Sequence, residues 1–176
     1  MSLTCKMNAL MTALLVVLLA LPATAADAPG LVTTQKLSAA LANELVGDAV
    51  AACAQKGIAV VAVVVDLDGV RQAMLRGNGA PIHSVDNAYY KAYSAASITL
   101  SRKEESTKQV ADRISKNPPS NVPQTQLPNI TYAQGGITLM AGGKAIGALG
   151  VSGAPGGNID EECGRAALDK IRDRMK

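Results

Sequence analysis

The first periodic stretch of the chain predicts an amphipathic helix over residues 33–56. Apolar residues recur there every four positions, which places them on one face of a helix. These residues are Leu37, Leu41, Leu45, Ala49 and Cys53. Gly57 follows, and glycine commonly ends a helix. We therefore expect one face of this helix to pack against the protein core.

Two pairs of strands are predicted, each pair joined by a tight turn. Residues 58–65 are wholly apolar and mostly β-branched, which is typical of a strand buried on both faces. Residues 70–75 return as a second strand after an Asp-Leu-Asp-Gly turn. Residues 136–140 and 145–151 form a similar pair around two adjacent glycines. Both hairpins predict antiparallel strands.

Three further helices are predicted from capping signals and spacing. Ser84 is a candidate cap for a helix that runs to about residue 98. Ser101 and Glu104 have the spacing of a capping box for a helix over 102–115, and a last helix is expected over 159–175. The order of elements predicts an α+β domain with helices packed against an antiparallel sheet.

The segment 117–129 separates the third helix from the second hairpin. It contains four prolines among polar residues, so it cannot form regular structure. Ordered loops of this length often contact a ligand or another subunit.

The N-terminus has the pattern of a secretory signal peptide. Lys6 precedes an apolar run over residues 9–21, and the small residues Ala23 to Ala25 form a cleavage site. The run is shorter than the roughly 20 residues that a membrane-spanning helix needs. We therefore expect residues 1–25 to be removed and residues 26–176 to form a single domain, periplasmic or secreted, with no membrane span.

Composition removes several classes of function. The chain has no Phe or Trp and four Tyr, which disfavours an aromatic platform for stacking bases. Its formal net charge is +3 and it has no long basic stretch, so nucleic-acid binding is not expected. The single histidine excludes a histidine-rich zinc site.

Cys53 and Cys163 remain after removal of the signal peptide. In an oxidising compartment two cysteines can form a disulfide, and they can equally be two small buried hydrophobic residues. Their spacing alone leaves both possibilities open.

His83 is the most informative candidate for chemistry. It stands just before a predicted helix, whose positive N-terminal end favours a neutral imidazole able to bind a metal or haem iron. An exposed loop histidine is the alternative. Arg76 and Lys91 flank this segment and suit ligand carboxylates, although each can also be a solvated surface charge.

Asp160, Glu161 and Glu162 open the last predicted helix. They suit the positive end of the helix, and they could also collect a cation at the mouth of a site.

Several separated motifs resemble one known family. They are Val63-Val64-Val65-Asp66 with Gly69, Arg76 to Ala80 with His83, Lys91 to Ser97, Gly147 to Gly157, and Asp160 to Cys163. In this order they resemble the GlcG/HbpS-type family of haem-binding or haem-degrading proteins, from about Leu31 to the C-terminus.

The resemblance implies a fold and an assembly. It implies a profilin-like domain, a five-stranded antiparallel sheet flanked by helices, that assembles into dimers or larger rings. It also places the first and last helices side by side, which favours a disulfide between Cys53 and Cys163.

The resemblance further implies a ligand pocket around residues 76–91, with haem as the ligand and His83 as its axial ligand. Arg76 and Lys91 would contact anionic groups. Asn78 replaces an acid that is usual in the family, and without Phe or Trp the porphyrin would pack on tyrosine or methionine. The candidates for that packing are Tyr89, Tyr90, Met74 and Met140.

The sequence thus favours an exported, homo-oligomeric protein that binds haem or another small molecule. Two alternatives remain open. One is an enzyme that acts on a small organic acid or haem, with His83 as general base and the basic residues holding carboxylate. The other is an accessory or structural oligomer in which the proline-rich segment contacts a partner.

Overall fold

The computed structural model describes residues 30–116 and 127–175. Its chain divides into two units, Met1–Thr33 and Thr34–Lys176. The described part of the first unit, residues 30–33, is a bend followed by irregular, exposed chain. The predicted signal peptide and most of the proline-rich segment lie outside the described residues, so the cleavage site stays a prediction.

The second unit contains four α-helices in the ranges that the structure describes. They are α1 (Ala39–Ala54), α2 (Ser84–Ala95), α3 (Thr107–Lys116) and α4 (Gly157–Ile171). The helix α1 begins later than predicted, because Ser38 accepts a hydrogen bond from the backbone N–H of Leu41 and caps the helix there. No helix in the described ranges is long and apolar enough to cross a membrane.

The predicted capping box at Ser101 and Glu104 is wrong. Only a short 3₁₀ turn, Leu100–Arg102, forms there, and Lys103 adopts a left-handed conformation that ends it. The Glu104 carboxylate instead accepts hydrogen bonds from the Arg113 guanidinium, at 2.8 Å from Nε. The helix α3 therefore begins only at Thr107.

The sheet is antiparallel and has four strands among the described residues. They are β1 (Val61–Val65), β2 (Arg71–Arg76), β3 (Gly136–Ala141) and β4 (Lys144–Ser152). Their order across the sheet is β2-β1-β4-β3. Both predicted hairpins are confirmed, and β1 joins them by pairing Val61 with Ser152 and Val65 with Ala148.

The expected fifth strand is not found in the described part of the chain. Beside β3, Ser106 forms an isolated bridge with Ile137, and the N–H of Thr138 donates to the carbonyl of Glu105 at 2.9 Å. The left-handed Lys103 and the start of α3 at Thr107 bracket this short segment. Too few extended residues remain between them to continue the pairing as a strand.

Helices cover both faces of the sheet and create two hydrophobic cores. Ala62 and Val64 of β1 face the core that α1 and α4 close. Val61, Val63 and Val65 face the core that α2 closes. Every residue of β1 is fully buried, as the unbroken run of β-branched residues predicts.

A disulfide joins α1 to α4, which confirms the pairing of Cys53 with Cys163. The two sulfurs are bonded at 2.05 Å, the Cα atoms are 5.4 Å apart, and both side chains are fully buried. Near the chain end, Arg174 donates hydrogen bonds to the Glu44 carboxylate on α1, and these bonds lower the pKa of Glu44. The disulfide therefore holds α4 to α1 covalently, and the ion pair of Arg174 holds the chain end to α1.

Candidate functional site

One face of α2 lines a cleft of about 340 Å³. His83, Asn87 and Lys91 recur every four residues and all line it. The opposite wall is the loop of residues 152–157, together with Asp160 from the first turn of α4. The cleft thus lies where α2, the end of β4 and the start of α4 meet.

Two glycines allow α2 to lie unusually close to the sheet. A Cβ atom added to Gly150 in β4 would lie 2.0 Å from the carbonyl oxygen of Ala88. A Cβ atom added to Gly136 in β3 would lie 2.2 Å from the carbonyl oxygen of Lys91. Any other residue at these positions would push α2 away, so the glycines set the depth at which Lys91 lies.

A buried ion pair forms the floor of the cleft. The Lys91 Nζ atom lies 2.7 Å from Oδ2 of Asp160, and each side chain is only 3% exposed. Nζ also donates to the carbonyl oxygen of Val151 at 3.0 Å. The other Asp160 oxygen, Oδ1, accepts from the backbone N–H of Ala154 at 3.0 Å. Buried charges require such partners, and here both members have them.

A second pair of polar groups lies beside the ion pair. Asn87 donates from Nδ2 to the hydroxyl of Ser152 at 2.9 Å, which links α2 to the end of β4. Ser152 is 3% exposed, whereas His83 is exposed. The cleft therefore has a buried polar floor and an accessible imidazole.

The structure brings together two of the five predicted ligand residues, His83 and Lys91. Arg76 points its guanidinium at the carbonyl of Ala80, with hydrogen bonds of 3.0 Å from Nε and 2.6 Å from Nη2. It therefore holds the loop before α2 and does not line the cleft.

Asn78 and Tyr90 also lie away from the cleft. Asn78 lines a separate, open depression of about 330 Å³ beside the end of α1. Tyr90 is 36% exposed on α2, and its ring centroid lies 6.0 Å from that of Tyr89. The ring of Tyr89 is covered by the Arg71 guanidinium at 3.5 Å, a cation–π contact.

Sequence reasoning missed Asn87 and Ser152 and interpreted Asp160 as a helix cap or cation collector. Asn87 could have been found, because it lies one helical turn from both His83 and Lys91. The other acids of this group are also paired: Glu161 with Arg165, and Glu162 with Lys56. In the described residues, no cluster of three or more potential metal-ligating side chains occurs.

A third cavity, of about 430 Å³, lies at the β3 edge. Leu100, Met140 and Thr138 line it, with the Glu104 carboxylate at its side. The hydrogen bonds from Arg113 to Glu104 raise the pKa of Arg113, so this carboxylate is already paired with a permanent cation. The β3-edge cavity contains no histidine.

The architecture and the cleft define a class of small α+β proteins with a cleft between a helix and a glycine-rich loop. A family model described as haem-degrading, HbpS-like protein matches residues 37–169. The chain therefore belongs to the HbpS-like family. No curated protein sequence matches it significantly.

Solved structures support the same assignment. A double mutant of HbpS from Streptomyces reticuli is 30% identical, with a TM-score of 0.70, and the match covers 84% of this chain and 94% of that one. The Klebsiella pneumoniae protein ORFY is 24% identical, with a TM-score of 0.71 and coverage of 84% and 98%. The haem complex of PduOC is 24% identical, with a TM-score of 0.61 and coverage of 77% and 95%. The last two similarities concern the fold.

Proposed function

We propose that this protein binds haem in the cleft formed by α2 and the loop of residues 152–157, with His83 as the axial ligand. Membership of a family described as haem-degrading supports haem as the ligand. The complex of PduOC with haem gives a second, weaker support, because that protein shares the fold. The location rests on one observation, the alignment of His83, Asn87 and Lys91 along one cleft.

The residues of the cleft fit haem chemically. An exposed imidazole can approach haem iron, for which histidine is a common axial ligand. Lys91 supplies a charged donor for a propionate. The cleft is near the lower end of the roughly 300–1,000 Å³ range of small-molecule sites, so we expect part of a porphyrin to remain outside it.

A haemin titration of residues 26–176 tests this proposal. We expect a sharp Soret shift that saturates at about one haem per chain and is lost in His83→Ala, because the iron loses its protein ligand. Lys144→Ala, an exposed change at the first residue of β4, is the matched control and should bind as the parent does. Equal binding by His83→Ala, or no binding by the parent, would contradict the proposal.

The same spectra distinguish binding from breakdown. A binding protein gives a Soret band that is stable with time, whereas a haem-degrading enzyme supplied with a reductant and oxygen loses it. We propose the binding role, because the cleft places one imidazole and no second free acid–base group beside the ligand among the described residues.

We also propose export and self-association. The signal-peptide pattern and the buried disulfide support an oxidising compartment outside the cytoplasm. Mass spectrometry of the exported protein should find a chain that begins at Ala26. Self-association is supported by exposed apolar residues on the edge strand β2 and in the chain segments before and after it. These residues are Val70, Met74, Leu75 and Ile82. Sedimentation velocity would measure self-association.

A further inference from the structure

The ion pair in the cleft leaves one hydrogen-bond donor unused. The Lys91 ammonium has three N–H groups, and two of them donate to Asp160 and Val151. Asp160 already accepts at both oxygens, from Lys91 and from Ala154. The pair therefore offers the cleft one N–H donor from Lys91, whereas both carboxylate oxygens of Asp160 are already hydrogen-bonded.

The neighbouring wall also presents donors. Ser152 is only 3% exposed, and its hydroxyl oxygen accepts a hydrogen bond from Asn87. The hydroxyl hydrogen has no acceptor in the part of the chain that is described. Gly156 precedes α4 without a side-chain cap. The N–H groups of Gly157 and Asn158 consequently lack an acceptor among the described residues. Ser152 and Gly157 line the same cleft as Lys91.

We infer that this cleft recognises a carboxylate group of its ligand, which would accept hydrogen bonds from Lys91, Ser152 and the first turn of α4. The inference rests on the proposed function for the location of the ligand. A carboxylate suits the site because it is a pure acceptor, and because the positive end of α4 adds to the attraction. Asp160 acts as a positioning residue that fixes the ammonium.

A phosphate is a poorer fit than a carboxylate. Asp160 balances the charge of Lys91, so the floor carries no excess positive charge for a dianion. The neighbouring acids Glu161 and Glu162 are also paired, with Arg165 and Lys56 respectively. Recognition here depends on aligned donors, which favours a singly charged, planar group.

The carboxylate could belong to a haem propionate or to a small free acid. Haemin, its dimethyl ester and succinate are the probes that distinguish these sources, with inorganic phosphate as a fourth. We expect the parent to bind haemin at least tenfold more tightly than the ester, in which the propionates are uncharged. We also expect succinate to compete with haemin, and phosphate to compete more weakly.

The variant Lys91→Met/Asp160→Asn tests the donor. It removes both charges together, because Lys91→Met alone would leave a buried carboxylate without its partner, and the new amide oxygen can still accept from Ala154. We expect the preference for haemin over its ester to fall to less than threefold. Ser152→Ala is a milder second variant, in which we expect the preference for haemin over its ester to fall twofold to fivefold. Lys144→Met is the matched control.

The binding data separate carboxylate recognition from haem binding through His83. Equal binding of haemin and its ester by the folded parent overturns the carboxylate inference and leaves haem binding through His83 intact. Binding of succinate without binding of haemin overturns the proposed function and supports the inference. A preference that persists in the folded double variant and in Ser152→Ala overturns the assignment to these residues. Circular dichroism of the parent and of each variant shows whether the protein is folded.

Discussion

At the scale of single residues, the cleft depends on groups that a linear pattern shows only in part. His83 and Lys91 lie eight residues apart, so their shared helical face is visible in the sequence, and Asn87 falls between them. The partnership of Lys91 with Asp160 is not visible, because it joins residues 69 positions apart. Charge alone cannot distinguish a solvated lysine from a buried one.

Arg76 shows the opposite limit of sequence reasoning. A basic residue before a predicted site suggests an anion contact, yet its guanidinium is used to hold the carbonyl of Ala80. This backbone acceptor carries no signature in the sequence. The resemblance motif Arg76 to Ala80 is therefore at least partly a loop-anchoring motif.

Gly150 provides a prediction at this scale. Gly150→Ala should lower the free energy of unfolding by about 3 kcal/mol, because its Cβ would overlap the α2 backbone 2.0 Å away and the core must shift. It should also weaken haemin binding, since Lys91 moves with α2. Urea unfolding monitored by circular dichroism measures the first effect.

Gly47 in α1 is the matched control for that substitution. A Cβ there meets no atom within 4 Å, so Gly47→Ala should stabilise the protein by about 0.5–1 kcal/mol. Equal stabilities for Gly150→Ala and the parent would show that α2 does not lie as close to the sheet as described.

At the scale of elements, periodicity predicted the type of each helix or strand better than the residue at which it begins. Four of the five apolar residues at four-residue spacing lie in α1, with Leu37 just before its cap, and the β-branched run gives β1. The Ser101–Glu104 spacing predicted a helix from residue 102, which is wrong because the left-handed Lys103 interrupts the chain there. Local capping patterns do not reveal that Glu104 pairs with Arg113.

The disulfide between α1 and α4 is the main covalent constraint on the described elements. Cys53→Ala/Cys163→Ala should lower the free energy of unfolding by about 3–5 kcal/mol, because the bridge closes a loop of 110 residues in the unfolded chain. Urea titration is the measurement. The parent unfolded in dithiothreitol should match the variant, and unchanged stability in both would contradict a structural role for the bridge.

At the scale of the whole molecule, the chain order predicted the antiparallel sheet with helices on its faces. Two hairpins and four helices follow from hydrophobic spacing and turn glycines. The fifth strand came from family resemblance alone, and the chain's own pattern contained no extended segment for it. The strand order β2-β1-β4-β3 depends on pairing between distant segments, which no local pattern specifies.

The β3-edge cavity is the most direct alternative to the cleft as the ligand site. The β3-edge cavity is larger but lacks a histidine, whereas the smaller cleft combines His83 with the buried pair of Lys91 and Asp160. Size alone would favour the β3 edge. The chemistry of the lining favours the cleft, because haem iron needs a ligand and propionates need donors.

Nuclear magnetic resonance can test whether the ligand binds in the cleft. The ¹⁵N-labelled domain, residues 26–176, is titrated with gallium protoporphyrin, a diamagnetic analogue of haem. Binding in the cleft predicts that backbone amide shifts change within residues 83–91 and 152–160, the segments that contribute to its lining. Shift changes concentrated at residues 100–105 and 138–145, which line the β3-edge cavity, would contradict it.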